Sequence, residues 1–176
     1  MKELLSEHDL RRGVREMAEQ IARCYARQPL TILGVLTGSI VLLADLIRLL
    51  EMPLRVGVVQ ASSYRDGTTR GRLTINADLM PDIEGRNVLL VDDIFDTGHT
   101  IQEVVSLMRQ FHPNSVRSAV LLRKTGRQEV AMDPDFVAFD IPDEFVVGYG
   151  LDYRDAYRNL CYVAALEPED LTGDHP

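Results

Sequence analysis

The sequence predicts an α/β protein with a central, mostly parallel sheet flanked by helices. Two strand–turn–helix units carry the prediction. In the first, Thr31-Ile-Leu-Gly-Val-Leu36 meets the turn Thr37-Gly38-Ser39, and an apolar helix follows from Ile40 to Leu50. In the second, Val88 to Val91 run without a polar break and end at Asp92 and Asp93. The turn-prone Asp96, Thr97, Gly98 and Thr100 come next, then a helix with Ile101, Val104, Val105, Met108 and Phe111 at 3–4 spacing. Unbroken apolar runs of this kind are how parallel strands buried on both faces read. A third observation is the supply of further short strands: Leu54–Ala61, Leu73–Asn76, Val116–Leu122, Phe136–Phe139 and Tyr162–Ala165.

The remaining elements follow in order. Ser6 is placed to cap a helix over residues 7–27, whose apolar stripe is Leu10, Val14, Ala18, Ile21 and Tyr25. Pro29 ends it. The helix from Ile40 is apolar enough to serve both as core and as a subunit interface. Residues 62–72 are polar, with two glycines and three arginines, and read as a surface loop. Glu84-Gly85-Arg86-Asn87 turns into the central strand and Pro113-Asn114 into the next. The acidic tail from Glu167 is expected to fray.

Composition bounds the function. At 176 residues the chain fits one domain. No apolar run is long enough to span a membrane, and Met1-Lys2-Glu3 does not open a signal peptide. Cys24 and Cys161 show neither metal-site nor redox spacing, which points to a reducing cytosol. A net charge of −8 argues against nonspecific nucleic-acid binding.

The chemistry is concentrated where the central strand gives way to a helix, the end of an open α/β sheet at which ligands bind. Backbone N–H groups, hydroxyls and a helix N-terminus suit a phosphate. Asp92, Asp93 and Asp96 would repel a bare phosphate, so the ligand needs hydroxyls or a cation beside them. A sugar phosphate with a free diol, carried with Mg²⁺, meets both demands. An Asp-Asp pair alone serves equally well to end a strand, and Asp96 to cap a helix. Two rival motifs are missing. Neither lysine follows a glycine, so there is no P-loop. The one Gly-x-Gly, at Gly148 and Gly150, has Tyr153 in the third glycine position of a dinucleotide fingerprint.

The run Asp92-Asp-Ile-Phe-Asp-Thr-Gly-His-Thr100 resembles the signature of the type I phosphoribosyltransferases, which bind phosphoribosyl pyrophosphate. Ile141-Pro-Asp-Glu-Phe-Val-Val-Gly-Tyr-Gly-Leu-Asp-Tyr153, with Lys124 at the end of the preceding strand, resembles the hypoxanthine-guanine branch. The resemblance covers nearly the whole chain. It implies a core over roughly 30–140 and a small hood from the N-terminal segment and roughly 141–168.

The resemblance also implies roles. Asp92 and Asp93 would hold the ribose hydroxyls, directly or through Mg²⁺. Thr97, Gly98, His99 and Thr100 would cradle the 5-phosphate; His99 stands where relatives often have lysine. Leu36, Thr37 and Gly38 would form the pyrophosphate loop, with a cis bond between Leu36 and Thr37 in relatives and Thr37 in place of a common Lys or Arg. Arg127 and Arg158 would contact pyrophosphate. Asp96 would exchange a proton near purine N7. Ser63 and Tyr64 match the catalytic loop. Val146 would frame the base, and Asp152 would border it and bind Mg²⁺ through water.

Two further residues, Phe145 and Lys124, suit a purine site on physical grounds. Phe145 offers a plate on which a flat base stacks, though a lone Phe also serves as core. Lys124 is a compact donor for a 6-oxo group, though a lone lysine also serves as solvated surface. Among seventeen arginines and two lysines, Lys124 is a choice against the chain's own bias. The expected reaction transfers ribosyl 5-phosphate to N9 of hypoxanthine or guanine, giving inosine or guanosine monophosphate and pyrophosphate. The enzyme is expected in the cytoplasm as a homodimer or homotetramer. The alternatives are a xanthine-preferring enzyme and a non-catalytic RNA-binding regulator on the same fold. The net charge and the full set of catalytic-type residues disfavour the regulator.

Overall fold

The elements in chain order are β1 (Lys2–Leu5), α1 (Glu7–Tyr25), β2 (Leu30–Leu36), α2 (Ile40–Ile47), β3 (Leu54–Ser63), β4 (Leu73–Asn76) and β5 (Asn87–Phe95). They continue as α3 (His99–Arg109), β6 (Ser115–Lys124), β7 (Phe136–Ile141), β8 (Val146–Val147), β9 (Val163–Ala165) and α4 (Pro168–Leu171). The computed structural model describes residues 1–26, 28–63 and 73–171. Among them no helix is long and apolar enough to cross a membrane.

Six strands form one sheet in the order β4-β3-β2-β5-β6-β7. Its pairings are parallel except for β4, which lies antiparallel at the edge on β3. Side chains alternate across the strands, so both faces need cover. On one face Ile32, Leu89, Val91 and Leu121 pack with α1 and α2. On the other, Leu33, Val88, Leu90 and Val120 pack with Ile101, Val104, Val105 and Met108 of α3. Gly13 of α1 lets the helix ride against Phe139 of β7; a Cβ there would stand 2.2 Å from the ring.

The connections explain where the site lies. From β2 the chain passes through α2 to β3 on one side. From β5 it passes through α3 to β6 on the other. The winding direction therefore reverses between β2 and β5, and that reversal opens a crevice at their carboxyl ends. A second, three-stranded antiparallel sheet, β1-β9-β8, joins the two chain ends.

Several boundaries differ from the sequence reading, each for a physical reason. The central strand does not stop at Asp92: pairing with β6 carries it to Phe95, while pairing with β2 ends at Val91. Asp92 and Asp93 thus lie in a strand already released on one side. Ser62 and Ser63 belong to β3, because β4 pairs with them. The helix from Ser6, with its full capping box, ends at Tyr25, where Ala26 turns left-handed and its N–H donates to the Ala22 carbonyl. The helix from Ile40 ends at Ile47. Phe111 lies past the end of α3 and is exposed. The first residues of the tail are tied down: the Met1 amino group stands 2.7 Å from Glu167 and 2.7 Å from Asp170 at α4, while residues 172–176 lie outside the described residues.

Candidate active site

The crevice holds a cavity of about 310 Å³. Its floor is the Asp92–Asp93 pair. Asp92 is buried, and its Oδ1 accepts the Asp93 N–H at 3.0 Å. Asp93 Oδ1 accepts the Ile94 N–H at 2.8 Å. Burial, then the neighbouring carboxylate, pushes Asp92 well above the ordinary carboxylate range. Burial raises Asp93 as well, against the opposing hydrogen bond from Asp92 and the charge of Arg158. Both shifts favour the neutral acid, so a proton or a cation on the pair would offset the cost of its burial.

The turn after β5 forms the next wall. Thr97, Gly98 and Thr100 line the cavity. Gly98 occupies the N-cap position of α3 with φ 89°. A Cβ there would fall 2.4 Å from Val130 Cγ2 and 2.5 Å from Phe95 Cζ, so only glycine fits. Asp96 is not the helix cap; its Oδ1 accepts from Arg127 Nε at 3.0 Å. His99 starts α3, but its imidazole pairs with Glu129 at 3.0 Å, and it is not among the cavity-lining residues.

Opposite lie Leu36, Thr37 and Gly38, all lining the cavity. The Leu36–Thr37 peptide is cis. A Cβ at Gly38 would fall 1.6 Å from Asp93 Oδ2, so the loop backbone lies directly on the aspartate. Asp152 and Arg158 complete this wall, paired at 2.7 Å. Asp152 lines the same cavity as Asp92 and Asp93, although among the described residues no group of three His, Cys, Asp or Glu side chains is placed to hold a metal ion.

The base side is built by strand register. Lys124 ends β6 opposite Ile141 of β7, and this brings residues after 141 back beside it. Lys124 Nζ stands 3.3 Å from Asp143 and 3.6 Å from Asp96. Arg127 reaches the same two carboxylates, at 3.0 Å from Asp96 and 3.6 Å from Asp143. Arg127 thus sits with the base-side charges, not in the wall with Arg158. Asp143 was legible only as part of the 141–153 run; no spacing ties it to Lys124. The Lys124 side chain is only 11 % exposed, which sets aside a solvated surface role. Phe145 is 48 % exposed, so it is not core; Tyr153 meets it edge-to-face at 5.5 Å. Val146 is buried in the main core, leaving only its backbone to meet a ligand. Tyr64 lies outside the described residues. Ser63 is the last residue of β3.

Residues 1–154 match the phosphoribosyl transferase domain. The chain belongs to the phosphoribosyltransferase family. A hypoxanthine-guanine phosphoribosyltransferase of Staphylococcus epidermidis is 41% identical over 167 residues, which cover 94% of this chain and 93% of that protein. The crystal structure of a Bacillus anthracis hypoxanthine-guanine phosphoribosyltransferase superposes with a TM-score of 0.90 at 36% identity, covering 95% of this chain and 99% of that one. A mutant Trypanosoma cruzi hypoxanthine phosphoribosyltransferase, solved as a ternary substrate complex, gives 0.90 at 36% identity, with 97% of each chain covered. Within the phosphoribosyltransferase family, then, this chain is similar to proteins named for 6-oxopurines along nearly its whole length.

Proposed function

We propose that this chain is an Mg²⁺-dependent purine-salvage enzyme. It transfers the 5-phosphoribosyl group of phosphoribosyl pyrophosphate to N9 of hypoxanthine or guanine. The bond from ribose C1 to the pyrophosphate oxygen breaks, and pyrophosphate leaves with the electron pair. The purine N9 lone pair forms the new bond, and the purine gives up one proton. The observation that carries the reading is the meeting of Lys124 and Asp96 at 3.6 Å, at the junction of the phosphate turn with the base side.

Each wall then has a task. Thr97, Gly98 and Thr100, with the first N–H groups of α3, hold the 5-phosphate. Asp92 and Asp93 hold the ribose hydroxyls. Arg158, beside Gly38, meets the pyrophosphate. Phe145 stacks on the base, and Lys124 donates to its 6-oxo group. Asp96, within reach of the same base, takes the purine proton at its carboxylate. Arg127 keeps Asp96 in place.

The carboxylates fit a hard cation: Asp92 and Asp93 on the ribose side and Asp152 on the pyrophosphate side, the last through water. Magnesium, when bound, neutralises the departing pyrophosphate. The enzyme is placed in the cytoplasm as a homodimer or homotetramer; the assembly accords with Ile40 at the start of α2 and Leu49 just past its end, apolar yet 49% and 39% exposed.

Incubation with phosphoribosyl pyrophosphate, hypoxanthine and Mg²⁺ should yield the nucleotide and pyrophosphate in equal amounts, and excess chelator should stop it. Full turnover in chelator would remove the metal from the proposal. No nucleotide in Mg²⁺ would remove the activity.

A further inference from the structure

One hydrogen bond outside the cavity ties two of its walls together. Tyr149 Oη donates to Asp45 Oδ2 at 2.6 Å, across 104 residues of sequence. Asp45 lies on α2, the helix that leaves the Gly38 loop; Arg48, one turn on, pairs with the other Asp45 oxygen. Tyr149 belongs to the segment that leads to Asp152 and Arg158. Neither Asp45 nor Tyr149 lines the site; both line a separate cavity of about 660 Å³ next to it.

The backbone around Tyr149 makes the contact informative. Gly148, Tyr149 and Gly150 all have positive φ, at 97°, 51° and 103°. Glycine adopts such angles freely and tyrosine rarely does. The ring is nonetheless held there, 7% exposed, with its hydroxyl aimed at α2. Burial, then the Asp45 hydrogen bond, raises the phenol, so it remains a neutral donor.

What the hydrogen bond clamps is the site wall. A Cβ at Gly150 would fall 2.1 Å from the Gly38 carbonyl oxygen, so the two loops touch backbone to backbone. Gly38 in turn lies on Asp93. The Gly150 carbonyl accepts from Arg158 Nη1 at 2.8 Å, and Arg158 holds Asp152. One stack therefore runs from Asp45 through Tyr149, Gly150 and Gly38 to Asp93. The base side is held separately, by the β6–β7 register and the β8–β9 pairing.

We propose that Asp45 and Tyr149 are positioning residues: their hydrogen bond holds the Asp152–Arg158 segment against the Gly38 loop and so sets affinity for the pyrophosphate end of the phosphoribosyl donor. The inference rests on the function proposed above. Tyr149→Phe removes one hydroxyl and keeps the ring. Asp45→Ala removes the acceptor, and Asp45→Asn keeps an acceptor oxygen. Steady-state kinetics on the full chain, varying each substrate in turn, read the effect, with melting temperature as the folding control.

Tyr149→Phe and Asp45→Ala should each raise KM for phosphoribosyl pyrophosphate about tenfold to a hundredfold, the scale of one hydrogen bond to a charged acceptor. KM for hypoxanthine should stay within about twofold, well under that scale. Asp45→Asn should recover most of the loss. An active wild type whose donor KM is unmoved in both variants overturns the latch alone, as does an equal rise in both KM values. An inactive wild type overturns the proposed function, and the latch with it.

Discussion

Lys124 Nζ stands 3.6 Å from Asp96 Oδ2, although 28 residues separate the two in sequence. One side chain ends β6 and the other follows β5, neighbouring parallel strands. A base placed here meets a hydrogen-bond donor and a proton acceptor together. Arg127 and Asp143 join the same cluster, so neither charge stands uncompensated before a base arrives.

Asp96→Asn keeps the shape of the turn and removes the proton acceptor. The variant should bind phosphoribosyl pyrophosphate as the wild type does and lose about 10²–10⁴ in kcat, the usual worth of general acid–base catalysis. Single-turnover kinetics with hypoxanthine, beside a donor-binding titration, check this. An unchanged rate would assign Asp96 only to its ion pair with Arg127.

Lys124→Gln tests how the base is read. Lysine carries donors only, so it suits a 6-oxo acceptor and opposes the 6-amino group of adenine. Glutamine offers both. Use of hypoxanthine should weaken by about 1.5–3 kcal/mol, the range for a hydrogen bond to a charged group, and the gap to adenine should narrow. The measurement is kcat/KM for each base in wild type and variant. A ratio that does not move would take Lys124 out of the base site.

The floor of the site predicts a stability dependence on pH. Burial raises both Asp92 and Asp93 in the folded chain. Between the unfolded carboxylate value of about 3.9 and those raised values, the folded state binds more protons than the unfolded one. Stability from this pair is therefore present at low pH and lost as pH rises through that window. Asp92→Asn removes the larger share of the effect. In chelator the variant should melt higher than the wild type at pH 8, with the difference shrinking toward pH 4, while its activity is lost. A difference in melting temperature that is constant across pH would contradict the pair's role.

The phosphate half of the site was legible in the sequence because it is contiguous. One run, residues 92–100, supplies the floor and the turn, and the apolar residues before it mark the strand that presents them. The base half is assembled by pairing. Nothing in the spacing of Lys124, Arg127 and Asp143 shows that they meet Asp96; the register of Phe95 opposite Arg123 brings Asp96 to Lys124, and that of Lys124 opposite Ile141 brings Asp143. Strand ends were misjudged for the same reason. Polar residues at Asp92 and Asp93 look like a stop, yet β6 continues to pair past them. β1 escaped notice because four residues with an exposed half need β9 from the other chain end to become a strand. The full imidazole–carboxylate pair of His99 and Glu129 was equally invisible, since the two are 30 residues apart.

The central claim is phosphoribosyl transfer to a 6-oxopurine. The most direct measurement is pyrophosphate released from phosphoribosyl pyrophosphate and Mg²⁺ with each of five nucleobases: hypoxanthine, guanine, xanthine, adenine and uracil. The account predicts rapid release with hypoxanthine and guanine, and background with adenine and uracil. Release with adenine or uracil equal to that with hypoxanthine, or none with any base, would contradict it.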